Sequence, residues 1–139
     1  MRRVIGIGSP FGADQLGWQA IDLLHNSPLG DCELIKLDRP GSDLIRYFEA
    51  VDDLVLIDAV QSDQTPGSPL RLDVADLSSV ECRTSTHGFG VAEALQMAEQ
   101  LALLPDKLLL IGIETGPDLT HTPEIRLDHL LSLLKYQAD

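Results

Sequence analysis

The sequence predicts a three-layer α/β/α sandwich around a mostly parallel sheet of about five strands, one of them an antiparallel edge strand. Two observations carry this. Short apolar runs alternate along the chain with stretches of helical periodicity, the pattern of α/β proteins. The runs are apolar at nearly every position, as strands covered on both faces require. The 139 residues form one domain, 1–139, long enough to bury roughly 68–70% of the unfolded surface.

Each element follows from its pattern. Residues 4–8 are a buried strand that opens the chain. Leu16, Ala20, Leu23 and Leu24 recur at i, i+4, i+7 and i+8, which predicts a helix. Residues 32–37 form a second strand, and Ser42 is placed to cap a short helix through Leu44, Ile45 and Phe48. Residues 54–59 form a third, fully buried strand. Residues 61–69 are a polar loop, and 70–74 alternate like an exposed edge strand. A polar loop over 78–86 leads to a helix with Val91, Ala94, Leu95, Ala98, Leu101 and Ala102 on one face. Residues 108–113 are the last strand. Beyond Gly116, Pro117 and Pro123, a final helix carries Leu127, Leu130, Leu131 and Leu134 at core spacing.

Composition narrows the function. The 22 Asp and Glu outnumber the 10 Lys and Arg, giving a net charge of −12, which speaks against nucleic acid or an anionic membrane as partner. No apolar run approaches the ~20 residues of a membrane-spanning helix. Met1-Arg2-Arg3 followed by an apolar run imitates a signal peptide, but the run stops at Gly8-Ser9-Pro10, so a cytoplasmic protein is expected. Cys32 and Cys82 make no CxxC motif and are expected as reduced, small core residues.

In a parallel sheet, ligands bind at the carboxyl ends of the strands. That edge would gather residues 9–14, 38–42, Asp58, 85–88 and Glu114. Gly6-Ile7-Gly8 begins a dinucleotide fingerprint, but Phe11 stands where the third glycine belongs. No P-loop, G-x-S-x-G or H-E-x-x-H occurs. What remains is two carboxylates and an imidazole, Asp14, Asp58 and His87, a set suited to a borderline divalent metal. Each has a plainer alternative. Asp14 could cap the first helix, Asp58 could bind loop N–H groups, and His87 could be a solvated residue at a helix entry. His25 and His129 read as surface residues, His121 as a loop residue, and Glu114 as a spare carboxylate on the same edge.

The segment Gly6-Ile7-Gly8-Ser9-Pro10-Phe11-Gly12-Ala13-Asp14-Gln15-Leu16-Gly17 resembles the opening of the hydrogenase maturation proteases, G-x-G-N-x-L followed by paired acids. The resemblance continues in order through Asp38-Arg39-Pro40-Gly41-Ser42, Leu56-Ile57-Asp58-Ala59-Val60 with Pro66-Gly67, Ser85-Thr86-His87-Gly88, and Leu110-Ile111-Gly112-Ile113-Glu114. It implies the same α/β/α fold. It also implies a metal site of Asp14, Asp58 and His87, with Asp38 needed for activity. The family's asparagine is Ser9 here, and its paired acids are reduced to one. Deleting a spacer residue brings Asp14 onto the metal-binding acid, with Ala13 replacing the other. Without the deletion, Gln15 would take that position.

The function implied is that of a nickel-dependent endopeptidase. It would remove the C-terminal peptide of a nickel–iron hydrogenase large-subunit precursor after nickel insertion. The nickel would arrive with the substrate, bound by its thiolates, and would polarise the carbonyl or acidify a bound water. The enzyme would act as a monomer. The alternatives are a non-catalytic metal-sensing or hydrogenase-binding relative, and a nucleotide-binding α/β protein.

Overall fold

The computed structural model describes residues 2–27, 29–73, 83–84 and 90–138. Four parallel strands make the body of the sheet: β1 (Arg2–Gly8), β2 (Cys32–Asp38), β3 (Asp53–Gln61) and β6 (Lys107–Glu114). The edge strand β4 (Pro69–Leu72) runs antiparallel to β6, so the order is β2-β1-β3-β6-β4. A two-residue strand, β5 (Arg83–Thr84), pairs antiparallel with Val60 and Gln61, past the point where β1 leaves β3 at Gly6 and Ile57. The expected sandwich and its antiparallel edge are therefore present.

Alternation along the strands separates two cores. On one side α1 (Leu16–His25) and α3 (Leu127–Ala138) cover Val4, Val55, Ile57, Ile111 and Ile113. On the other, a 3₁₀ helix (Gly41–Phe48) and α2 (Val91–Gln100) cover Ile5, Ile7, Leu54, Leu56 and Leu110. Among the described residues, no helix is long and apolar enough to cross a membrane.

Three local expectations change. Ser42 lies within the 3₁₀ helix, exposed, and the preceding Pro40 makes no side-chain cap. The short helix starts without a cap because Leu44 and Phe48 anchor it in the core. In α1 the buried stripe is completed by Ile21, while Leu23 is only half-buried. In α2 the buried face stops at Ala98, and Leu101 and Ala102 are exposed. There the chain turns through a left-handed Ala102 (φ 57°), and Leu103 N–H donates back to Ala98 O at 2.8 Å, a Schellman closure.

The glycines of the opening motif serve packing. A Cβ on Gly17 would stand 2.1 Å from Ile7 O, and one on Gly6 would stand 2.2 Å from Gly17 O. The first turn of α1 thus lies directly on the backbone of β1, which accounts for the G-x-G pattern without a nucleotide. Gly17→Ala is expected to lower stability by about 3 kcal/mol, since neither backbone can yield cheaply. Urea denaturation of the variant beside the wild type checks this.

Candidate functional site

The strand order places a topological switch point at β1. The chain moves from β1 to β2 on one side, then crosses to β3 and β6 on the other. The crevice outside the carboxyl ends of β1 and β3 is the ligand position of such sheets, and Asp14 and Asp58 both stand at this edge.

Asp14 lies in the 3₁₀ turn Gly12–Gln15 that joins β1 to α1. It does not cap α1, whose N-cap is Gln15 with no side-chain bond. The turn folds back on the end of β1. Ser9 N–H donates to Asp14 O at 3.1 Å, and Asp14 N–H donates to Phe11 O at 3.1 Å. The hydroxyl of Ser9, itself fully buried, donates to Asp14 Oδ2. Asp14 Oδ1 is buried and has no hydrogen-bond partner among the described residues. An unsatisfied buried acceptor costs about 1–3 kcal/mol, more when charged. Half of this carboxylate is therefore fixed by a serine while the other half awaits a donor or a cation.

Asp58 interrupts the apolar run of β3, which continues through Ala59 and Val60 to Gln61, beyond the expected end at residue 59; it is buried, with Oδ1 accepting Ala59 N–H at 2.8 Å. It faces the α2 side with Leu54 and Leu56, and shares a small pocket with Leu56, Val60, Leu72, Val91 and Leu110. The backbone bond matches its plainer reading in part, and the burial of a carboxylate beside apolar side chains goes beyond it. His87 lies outside the described residues, as does Cys82. Val91, which opens α2 four residues beyond His87, is itself against the Asp58 pocket. Among the described residues, no three His, Cys, Asp or Glu side chains form a metal-holding group.

Asp38 ends β2 level with Gly8 of β1, is exposed, and accepts Arg39 Nε at 2.8 Å. Arg39 adopts a left-handed backbone (φ 42°), and its N–H donates to Gly8 O at 3.2 Å, hooking the loop to the end of β1. The hydrogen bond and charge of Asp38 hold the Arg39 guanidinium above its ordinary pKa, with Asp14 adding to the same effect. Strand alternation puts Asp38 on the α1 side with Cys32 and Leu34, whereas Asp58 is on the α2 side. The two are separated by β1, about 10 Å at ordinary strand spacing. Asp38 is thus set apart from Asp58.

Glu114 is not a spare carboxylate. It is fully buried and organises the loop after β3. Its Oε1 accepts Ser62 N–H at 3.0 Å, Ser62 Oγ at 2.8 Å and Gln64 N–H at 3.1 Å, and its Oε2 accepts Gly116 N–H at 3.0 Å. Four donors leave it no reason to seek a cation. His121, His25 and His129 are exposed, and Cys32 is a half-buried free thiol whose pKa is raised by burial. Ser9 was legible only as a departure from a motif, but its spacing of five residues from Asp14 across a tight turn is the signal that pairs them.

Fold and edge together define an α/β/α protein with carboxylates at the crevice of its switch point. Residues 26–126 match the family model of the hydrogenase maturation protease, HycI. The chain belongs to the hydrogenase maturation protease family. The match takes in Asp38, Asp58 and His87 and begins after Asp14. The chain is 30% identical over 116 residues to the hydrogenase expression/formation protein HupD of Thiocapsa roseopersicina, covering 80% of this chain and 52% of that one. With HupD of Bradyrhizobium diazoefficiens it shares 29% over 116 residues, covering 80% and 60%. The chain thus spans little more than half the length of these curated relatives. Among solved structures, the hydrogenase maturating endopeptidase HybD of Escherichia coli superposes with a TM-score of 0.70 at 22% identity, covering 99% of this chain and 88% of that one. HybD of Thermococcus kodakarensis gives 0.65 at 17% identity, covering 99% and 94%. These likenesses establish the fold.

Proposed function

We propose that the protein is an endopeptidase that removes the C-terminal peptide of a nickel–iron hydrogenase large-subunit precursor once nickel is in place. The nickel belongs to the substrate, held by the precursor's thiolates and offered to Asp14, Asp58 and His87. When bound, nickel supplies Lewis acidity that makes the scissile carbonyl reactive towards water.

The chain's own residues have separate tasks. Ser9 fixes the rotamer of Asp14 through Oδ2, so that Oδ1 is aimed before the substrate arrives. Asp58 supplies a second oxygen donor whose orientation is held by Ala59 N–H. His87 supplies the nitrogen donor. Two carboxylates and one imidazole, without a thiolate, hold a borderline metal weakly. Such a set suits inspection of a metal carried by another chain. Asp38 and its loop, exposed and offset from Asp58, contact the substrate. With no serine or cysteine nucleophile motif, water attacks directly. The protein works as a cytoplasmic monomer.

The observation that carries this reading is Asp14 Oδ1, buried and without a partner among the described residues, in a chain of this family. Mass spectrometry of nickel-loaded and nickel-free precursor after incubation with the protein tests it. Loss of a C-terminal peptide is expected from the loaded form alone. Equal cutting of both forms refutes nickel gating. Binding without cutting makes the protein a non-catalytic sensor.

A further inference from the structure

Phe11 is 69% exposed and Leu119 is 54% exposed. They come from distant parts of the chain, yet their loops are fastened together. Ala13 N–H donates to Leu119 O at 2.9 Å, and Thr122 Oγ1 donates to Gly12 O at 2.8 Å. The junction admits only glycine at position 12, where φ is +52° and a Cβ would stand 2.4 Å from Leu119 O. Leu119 is fixed from its other side as well. Asp118 Oδ1 accepts Thr120 N–H at 3.0 Å and Thr120 Oγ1 at 2.6 Å across it, bonds that hold the Asp118 carboxyl below its ordinary pKa. Single exposed apolar side chains need no explanation. Two held on adjoining, braced loops, one three residues before Asp14 and the other bonded through its carbonyl to Ala13 N–H, are a feature of the candidate edge.

We infer that Phe11 and Leu119 form an apolar anchor for the precursor polypeptide, and so help determine which polypeptide is accepted. This rests on the endopeptidase reading. The occupant is an extended, apolar segment beside the substrate's metal-bearing region, and the chain's net charge of −12 disfavours an acidic one. The segment's apolar side chains cover Phe11 and Leu119 on docking. Contacts made to the polypeptide and not to the reacting carbonyl are equal in ground and transition states, so they act on KM and leave kcat alone.

Phe11→Ser and Leu119→Ser, singly and together, test the anchor. Both positions are exposed, so melting temperatures should match the wild type. KM for nickel-loaded precursor, and Kd measured in an Asp38→Asn background that spares the substrate, should each rise about tenfold per substitution. Unchanged KM and Kd overturn the anchor. So does a change in sedimentation with precursor affinity intact, which would make the pair a self-association surface. If the unsubstituted protein binds precursor without cutting it, the endopeptidase reading fails, and the Kd series still decides the anchor.

Discussion

Asp14→Asn is expected to lower kcat/KM on nickel-loaded precursor by at least about a hundredfold and, at the same time, to leave the fold as stable as before or more so. The two effects share one cause. Asp14 is held by Ser9 through one oxygen, and its other oxygen is buried with no partner among the described residues. In the free protein that charge is a liability, because desolvation of a carboxylate is offset only by a donor or a cation. Asparagine keeps the shape and can keep the Ser9 bond while removing the charge. On the proposed function the protein then loses its grip on the substrate's nickel, and it sheds a cost of folding. A role in turn formation alone predicts the opposite pairing, with lower stability and activity preserved. Thermal melts and cleavage rates on the same variant separate the two.

Asp38→Asn is expected to reduce cleavage by a similar factor while ion binding to the free protein survives. Asp38 is exposed at the end of β2, on the α1 side of the sheet, with Asp58 on the other side and β1 between them. Its Oδ1 accepts Arg39 Nε, and Arg39 in turn is hooked to the end of β1. The loop is therefore braced against β1, and the carboxylate is exposed beside it. An exposed ion pair between neighbours adds little stability, so the variant should melt as the wild type does. His87→Ala, by contrast, should remove ion binding and cleavage together, because it takes away the one nitrogen donor proposed. Calorimetric titration with nickel and a cleavage assay on both variants check the division. Loss of ion binding in a folded Asp38→Asn variant would make Asp38 a direct ligand.

The strands were legible because burial on both faces makes an apolar run that no surface element imitates, as in β3 and β6. The amphipathic helices were legible up to their ends. Leu101 shows why the ends were not, since apolar periodicity continues past the point where Ala102 turns the chain out of the helix. The edge was legible as a place, because topology alone brings strand ends together. The role of each carboxylate there was not. Glu114 and Asp58 both follow apolar runs and look alike in sequence, although β3 continues past Asp58 to Gln61. Glu114 is saturated by donors at positions 62, 64 and 116, contacts that exist only once the loop after β3 has folded back over the end of β6. Asp14 differs from Glu114 in the reverse way, with an oxygen that is buried and has no partner among the described residues. Composition cannot express that difference.

The proposed function requires the protein's own carboxylates to take hold of nickel carried by the substrate. Nickel-edge X-ray absorption reads this at the metal, with nickel-loaded precursor recorded alone and in complex with the Asp38→Asn variant, which should cut it slowly enough for the complex to be trapped. Light oxygen or nitrogen scatterers should join the sulfur shell on complex formation, and adding Asp14→Asn to the variant should diminish them. A nickel spectrum identical in the free and bound precursor would contradict it.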